Sequence, residues 1–257
     1  MNFRWCWAGA CSIGTSHLAT NLPCQDRASC VLIPASNGHY LSMVVSDGAG
    51  SASKASEGAA IVCASFQKSV VCHFRSGHTV LDLDKETVAG WLDDIRDKIS
   101  YHASNEALKP RDYAATLVAA IIAEEAAVVI HIGDGAAVLR EEATGEWKVP
   151  SWPYQGEYAS TTRFVVDDPY PEFNVITLRG RFDRLAVFSD GIERLVLDHR
   201  EKTAPTAFFD RLTEPVATSA VVGRDRLLSK HLRNYLDGRL VCDATDDDKS
   251  LILAARA

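Results

Sequence analysis

The sequence lacks the features of membrane proteins and of small secreted proteins. No apolar run approaches the roughly 20 residues that a membrane-spanning helix needs, and the N-terminal segment MNFRWCWAGAC has too short an apolar stretch for a secretory signal peptide. The seven cysteines form no C-x-x-C pair, and their odd number disfavours a disulfide framework. We therefore expect reduced thiols in the core of a cytoplasmic protein that has no membrane partner.

The sequence also has fewer positively charged than negatively charged residues. Lys and Arg together number 27 against 34 Asp and Glu, which gives a net charge of −7 at pH 7, and the basic residues form no run. Nucleic-acid binding depends on clustered Lys and Arg that neutralise phosphates. The composition therefore argues against a nucleic acid as the partner.

Several common enzyme motifs are missing as well. The sequence contains no P-loop, no H-E-x-x-H and no G-x-S-x-G. Gly48 and Gly50 follow an apolar strand, as in a dinucleotide-binding loop, but Ser53 takes the place of the third glycine and the expected acid about twenty residues on is absent. We therefore do not interpret this segment as a dinucleotide-binding loop.

What the sequence does contain is enough apolar material for one sizeable domain, since 47% of its 257 residues are hydrophobic. Alternation and β-branched content predict strands, and apolar residues at helical spacing predict helices. The strands are expected at 3–13, 28–33, 39–46, 114–123, 126–133, 136–142, 173–179, 183–189 and 249–256, and the helices at 51–74, 86–108, 205–214 and 223–237. The close succession of 114–142 predicts an antiparallel meander. Runs of strands between long helices predict an α+β sandwich, with residues 1–257 forming a single domain.

Five acidic positions stand where strands end or the chain turns. They are Asp26, Asp47, Asp134, Asp190 and one of the triplet 246–248. Glycine directly follows three of them, which permits a tight turn and the close approach of an ion to the backbone. A single Asp-Gly pair most often marks only a turn, but the repeated placement favours a site that gathers carboxylates. Oxygen ligands alone predict Mg²⁺ or Mn²⁺, since zinc prefers His and Cys.

These motifs, in this order, resemble the metal-dependent protein phosphatases of the 2C type. The segments that carry the resemblance are GTSHLATNLPCQD (14–26), SDGAG (46–50), AATL (114–117), GDGAAV (133–138), SDG (189–191) and DDKSLIL (247–253). The first is similar to a bacterial branch of the family with the pattern G-S-S-H…C-Q-D. The resemblance spans nearly the whole chain. It implies a four-layer α-β-β-α sandwich of two antiparallel sheets flanked by helices, with a binuclear metal site between the sheets.

The same resemblance implies metal-binding roles for particular residues. Asp47 would bridge two Mn²⁺ or Mg²⁺ ions, and the carbonyl of Gly48 would bind one of them. Asp190 and Asp247 would complete the shell of the other ion. Asp134 would lie near a third, weaker metal position together with Asp190.

The activity that the resemblance implies is that of a serine/threonine phosphoprotein phosphatase. A hydroxide that bridges the metals would attack the phosphorus in line, and the ions would neutralise charge on the phosphoryl oxygens. Asp26 would hold a metal-bound water, so Asp26, Asp47 and Asp190 are the predicted catalytic residues. The substrate would be a phosphorylated protein, which implies a Ser/Thr kinase as a partner. Residues 145–172 correspond to the family's flap, which is expected as an insertion.

Three positions depart from the family pattern. Gln25 stands where many members have Glu, Asn21 where many have an Arg that contacts the substrate phosphate, and Ala49 where some have a His near the leaving group. These departures keep a second hypothesis open, in which a catalytically degenerate phosphatase domain serves as a binding or regulatory module. A third hypothesis is a phosphatase of small phosphorylated molecules.

The residue that would replace the missing Arg is left open by the sequence. Arg27, Lys54 and His17 all lie near the first two acidic motifs and could contact a phosphate. For His17 a hydrogen bond within its own turn is the more common role. Cys24 is more simply explained by packing than as a nucleophile.

Overall fold

The computed structural model describes residues 4–153 and 162–256 and contains two β-sheets. The strands, in chain order, are β1 (Trp5–Ser12), β2 (Arg27–Ala35), β3 (Gly38–Ser46), β4 (Leu117–Ile122), β5 (Ala126–Ile132), β6 (Ala136–Glu141), β7 (Trp147–Lys148), β8 (Asn174–Arg179), β9 (Phe182–Phe188), β10 (Gly223–Arg224) and β11 (Lys249–Arg256). The helices, in chain order, are α1 (Thr15–Thr20), α2 (Ala55–Arg75), α3 (Lys85–Asn105), α4 (Asp190–Val196), α5 (Thr206–Ala217), α6 (Arg226–Leu236) and α7 (Arg239–Cys242), with short 3-10 helices at Val80–Asp82 and Pro110–Tyr113.

The strands divide into two antiparallel sheets, as the family resemblance implied. The first sheet has the order β10-β1-β11-β9-β6-β7, and the second has the order β2-β3-β4-β5-β8. The short strand β10 is an exception, because it pairs with β1 in parallel over two residues. The edges of the two sheets are therefore formed by β10 and β7 and by β2 and β8.

Three apolar layers hold the four structural layers together. Val44, Leu117 and Val128 lie in the layer between the second sheet and the helices α2 and α3. Met43 and Val187 belong to the layer between the two sheets. A third layer joins the outer face of the first sheet to the helices that follow β9. The predicted α-β-β-α sandwich is thus confirmed, because alternate residues of the central strands face either a helix or the opposite sheet.

The long helices begin close to where the sequence predicts, but the capping of α2 differs. Helix α3 is capped by Asp84, whose carboxylate accepts a hydrogen bond from the Thr87 N–H at 2.7 Å. Helix α2 begins at Ala55 without a side-chain cap. The Ser53 hydroxyl donates to the Asp112 carboxylate at 3.2 Å, so it contributes to the turn that precedes the helix.

The predicted meander over 114–142 is wrong in its last strand. Strands β4 and β5 pair antiparallel, whereas β6 crosses to the other sheet and pairs with β9. Gly133 has a φ of +117° at the crossing, which redirects the chain away from β5. Strand β6 carries apolar residues on both faces over residues 136–139. Its composition therefore gives no sign of which sheet it joins.

Two other expectations from the sequence can be compared with the fold. All seven cysteines are free thiols, but only Cys6 and Cys63 are fully buried and Cys72 is exposed, so most do not fill the core. In the part of the chain that the structure describes, every helix is too short or too polar to span a membrane. Part of the predicted flap at 145–172 lies outside the described residues. Within its described part, Trp147 packs 5.2 Å from the ring of Phe209 and anchors this segment to α5.

Candidate metal centre

Three of the predicted acids converge at one end of the sandwich. Each of Asp47, Asp134 and Asp190 places a carboxylate oxygen within 4.8 Å of the other two. Asp47 directly follows β3, Asp134 lies in the turn after β5, and Asp190 is the first residue of α4 after β9. Since β3 and β5 belong to the second sheet and β9 to the first, the cluster lies between the sheets.

The backbone around Asp47 is held by Thr116, which precedes β4. The Asp47 N–H donates to the Thr116 hydroxyl at 2.9 Å, and the Asp47 carbonyl accepts from the Thr116 N–H at 2.8 Å. Gly48 is packed so closely that a Cβ there would lie 2.6 Å from the Ala55 carbonyl oxygen. The strand end is therefore rigid, and only glycine fits after the acid.

The turn that begins with Asp190 is just as tightly packed. A Cβ on Gly191 would lie 1.9 Å from the Asp248 carbonyl oxygen, so α4 starts in direct contact with the chain before β11. Asp134 is held differently, because the Thr162 hydroxyl donates to its Oδ2. These contacts fix the backbone after Asp190 and one carboxylate oxygen of Asp134, and they leave the other oxygen of Asp134 unused.

Asp26 lies beside the cluster and is completely buried. Its Oδ2 accepts a hydrogen bond from the Ser189 hydroxyl at 2.7 Å, and the Ser189 oxygen in turn accepts from the Ser250 N–H at 2.9 Å. Burial raises the pKa of Asp26 to about 6, although hydrogen bonds from Asp47, Ser189 and Ser250 oppose the shift. The structure therefore brings this acid to the site as the sequence predicts.

Electrostatic repulsion in the cluster is strong. Burial, together with the charges of Asp134 and Asp247, raises the pKa of Asp190 to about 8. Burial and the charges of Asp26 and Asp190 raise the pKa of Asp47 well above its ordinary value. Buried carboxylates this close cannot all ionise unless cations compensate their charge, and without cations some of them hold protons.

Carboxylate oxygens without hydrogen-bond donors indicate whether protons or cations compensate the negative charge of the cluster. The Oδ1 atoms of Asp134 and Asp190 are buried and accept no hydrogen bond from any residue in 4–153 or 162–256. Buried acceptors are nearly always paired in proteins. Carboxylate oxygens that converge without donors suit a hard divalent cation, so the residues present fit the metal site that the sequence implied.

The acidic triplet contributes two residues in different ways. Asp248 is buried, and its carboxylate accepts from the N–H groups of Gly14 at 2.6 Å and Gln25 at 2.5 Å. It also lies 3.0 Å from Nδ1 of His17. Asp247 is exposed outside the group of three, although its charge is near enough to raise the pKa of Asp190. Asp248 therefore has a structural role, because it connects the segments around Gly14 and Gln25, and His17 contributes to the same set of contacts.

The residues that could replace the missing phosphate-binding Arg differ in the groups that they contact. The Arg27 guanidinium donates to the backbone carbonyls of Cys24 at 3.2 Å and Asp26 at 2.8 Å. The Lys54 ammonium instead lies 2.8 Å from the carboxylate of Glu106, at the C-terminal end of α3. Burial raises the pKa of the Cys24 thiol, so it stays protonated and is a poor nucleophile.

Some residues of the site were not assigned a role from the sequence. Thr116 and Ser189 position the acids through hydroxyls, and Glu193 is buried one helical turn after Asp190. Burial raises the pKa of Glu193 to about 7, and its carboxylate contacts Nε2 of His199. A glutamate three residues after the Asp190-Gly191 pair is the only signal the sequence offers for this position.

Comparisons with known proteins agree with this arrangement. A sequence model of the protein phosphatase 2C family matches residues 13–237. Serine/threonine-protein phosphatase 3 of Escherichia coli (strain K12) is 31% identical over 252 residues, which cover 97% of this chain and 98% of the relative.

Solved structures show the same fold at low sequence identity. The catalytic domain of the phosphatase PstP in complex with two manganese ions superimposes with a TM-score of 0.63 and 15% identity, covering 99% of each chain. RsbX in complex with magnesium gives a TM-score of 0.57 and 14% identity, covering 100% of this chain and 98% of RsbX.

Proposed function

Because the chain belongs to the protein phosphatase 2C family, we propose that it is a metal-dependent serine/threonine phosphoprotein phosphatase that hydrolyses phosphomonoesters. The observation that carries the proposal is the convergence of Asp47, Asp134 and Asp190 between the sheets. The manganese bound to PstP and the magnesium bound to RsbX support Mn²⁺ or Mg²⁺ as the ions.

The proposed ligands follow from the positions of the acids. Asp47 and the carbonyl of Gly48 would hold one ion, and Asp47, Asp190 and Asp247 would hold the other. Asp134, with Asp190, would serve a third and weaker position. When bound, the ions would supply an activated water and neutralise the phosphoryl charge.

The protein's own groups would position the reactants. Asp26, fixed through Oδ2 by Ser189, has its Oδ1 left to orient the attacking water. Arg27 would hold the substrate phosphate, because its guanidinium is fixed beside Asp26 by bonds to the Asp26 carbonyl and the Ser56 hydroxyl, and a guanidinium has further N–H donors that match phosphate geometry. Ala49 offers no proton to the leaving alkoxide, so water would protonate it.

The degenerate-module hypothesis is less favoured by the site. A domain that only binds partners has no need of three converging carboxylates, and their mutual repulsion would destabilise it. Gln25, Asn21 and Ala49 alter the surroundings of the cluster without removing any of its three acids.

The proposal is tested by hydrolysis of p-nitrophenyl phosphate and of a phosphoserine peptide with Mn²⁺, with Mg²⁺ and with EDTA. We expect turnover that EDTA abolishes and that Asp47→Asn reduces by at least about 100-fold. The matched control is Asp243→Asn, at an exposed acid that pairs with Arg239, which should leave turnover unchanged. Absence of turnover with either metal, or full turnover in Asp47→Asn, would contradict the proposal.

Two wider elements belong to the same proposal. A phosphoprotein substrate requires a Ser/Thr kinase that produces it. A cytoplasmic location is supported by seven free thiols, since thiols stay reduced in that compartment. Co-purification with the kinase's phosphorylated targets and fractionation of the source cells are the corresponding measurements.

A further inference from the structure

A cavity of about 710 Å³ opens along one edge of the sandwich. It lies between β1 of the first sheet and the edge strand β2 of the second, with Cys11 and Cys30 in its walls. Helix α6 and the short strand β10 form its outer side. We call this cavity the basic groove because of the side chains that line that outer side.

Four cations line the basic groove, and none of its described lining residues is acidic. Arg224 comes from β10, while Arg226, Lys230 and Arg233 recur on α6 at the i, i+4, i+7 spacing of one helix face. In the described part of the chain, Arg224, Arg226 and Lys230 make no ion pair, although 15 ion pairs form elsewhere. In a chain with a net charge of −7, such a concentration of unpaired cations favours an anionic ligand.

The basic face of α6 is held toward the groove by specific contacts. The Ser229 hydroxyl accepts a hydrogen bond from the Gly9 N–H at 3.2 Å, and the Arg233 guanidinium donates to the Cys11 carbonyl at 2.6 Å. Leu232 and Leu236 are buried against the outer face of the first sheet. The helix therefore cannot rotate its cations away from β1 without breaking these contacts.

The groove ends close to the candidate metal centre. Ala28 in its wall lies two residues after Asp26 on an extended chain, which puts their Cα atoms about 7 Å apart. Cys11, also in its wall, lies opposite Ser250 in the β1–β11 pairing, and the Ser250 N–H donates to the Ser189 hydroxyl that binds Asp26. A ligand in the groove would therefore be a neighbour of a phosphate at the metal centre.

We propose that the basic groove binds the acidic flank of the phosphoprotein substrate, meaning Asp, Glu or further phosphorylated residues near the phosphoserine or phosphothreonine. This inference rests on the proposed phosphatase function. Arg226 and Arg233 lie seven helical residues apart, which spreads the charges over about 10 Å. That spacing suits several negative charges on an extended peptide better than one inorganic phosphate. A long nucleic acid is less suited, because the rest of the acidic surface would repel it.

The test compares two phosphoserine peptides of equal length, one flanked by Glu and the other by Gln. At low salt the wild type should have the lower KM for the Glu peptide. In Arg226→Gln/Lys230→Gln that KM should rise about 3- to 30-fold, with kcat and p-nitrophenyl phosphate turnover unchanged. Neither residue contacts the metal centre. The control, Lys68→Gln/Arg75→Gln, removes two exposed cations of α2 and should leave the KM at its wild-type value.

Three outcomes would overturn the proposal. One is an unchanged KM for the Glu peptide in the groove variant, and another is an equal rise for the Gln peptide. The third is preferential binding of a labelled oligonucleotide over the Glu peptide, lost in the groove variant. If the wild type turns over no substrate, the proposed function fails separately. The groove is then judged by fluorescence anisotropy of the labelled Glu peptide, which should still bind the wild type more tightly than the groove variant.

Discussion

Replacing Asp190 by asparagine should stabilise the ion-free protein while it abolishes activity. The folded state raises the pKa of Asp190 from 3.8 to about 8, and each pKa unit corresponds to about 1.4 kcal/mol. Because the folded pKa lies above the unfolded value, stability is fully present below pH 3.8 and falls as the pH rises toward 8. A pH of 7 lies about three units above the unfolded pKa of Asp190. The burial of Asp190 therefore destabilises the folded protein by at most about 4 kcal/mol at this pH.

The neutral isostere removes that penalty. Allowing for imperfect hydrogen bonding of the buried amide, we expect a gain of about 2 kcal/mol or more at pH 7. For a chain of this size that is a rise in Tm of at least about 4 °C. The measurement is thermal unfolding with EDTA at pH 5 and pH 7.5, and the difference between variant and wild type should grow with pH.

Manganese should reverse the order of the two proteins. At 1,000 times Kd the ion stabilises a folded protein by about 4.1 kcal/mol, which exceeds the expected gain of the variant and which Asp190→Asn should largely lose together with its turnover. Asp97→Asn, an exposed acid on α3, is the matched control and should change neither quantity. A variant that is less stable than wild type in EDTA, or that keeps its turnover, would refute the argument that these carboxylates repel one another until cations bind.

Three further predictions concern the frame of the site. Burial lowers the pKa of His131 to about 4, so the contribution of His131 to stability should fall by about 2 kcal/mol as the pH drops from 6.5 to 5, and the wild type should lose about that much stability relative to His131→Gln in denaturant titrations at the two pH values. Thr116→Val should cost about 1–3 kcal/mol, measured by urea unfolding, because it leaves the Asp47 N–H without its acceptor; an unchanged midpoint would contradict this role. Gly191→Ala should lower Tm and turnover because its Cβ would lie 1.9 Å from the Asp248 carbonyl oxygen. The control is Gly90→Ala at an exposed position of α3, where a Cβ would have no neighbouring atom within 4 Å. This control should raise stability by about 0.5–1 kcal/mol.

The sequence was sufficient to predict where most strands and acids lie. Strand β3, for example, was expected at 39–46 and spans Gly38–Ser46, because its alternating residues face two different apolar layers. The sheet to which β6 belongs could not be predicted, since apolar residues cover both of its faces. Helix α4 was also missed, because a seven-residue helix that opens with Asp-Gly has the same local composition as a turn.

The sequence indicates which acids lie near the site, but it does not indicate which contacts each of them makes. Asp247 and Asp248 are adjacent and chemically identical, and only the fold turns Asp248 inward to the N–H groups of Gly14 and Gln25. The hydroxyls that orient the carboxylates come from distant segments, such as Thr116 for Asp47. Contacts of this kind depend on strand register, which short motifs do not encode.

The neutral side chain at position 25 can be understood from the charge balance of the site. The five acids of the proposed centre carry five negative charges, and two divalent ions supply four positive ones. The buried Lys249, whose ammonium donates to the Asp247 carbonyl at 3.2 Å, adds another nearby, and the buried Asp248 carboxylate offsets it. A glutamate in place of the buried Gln25 would add a sixth negative charge where desolvation is already costly. Gln25 therefore lowers the repulsion in the ion-free state at some cost in ion affinity, and it does not by itself imply a lost activity.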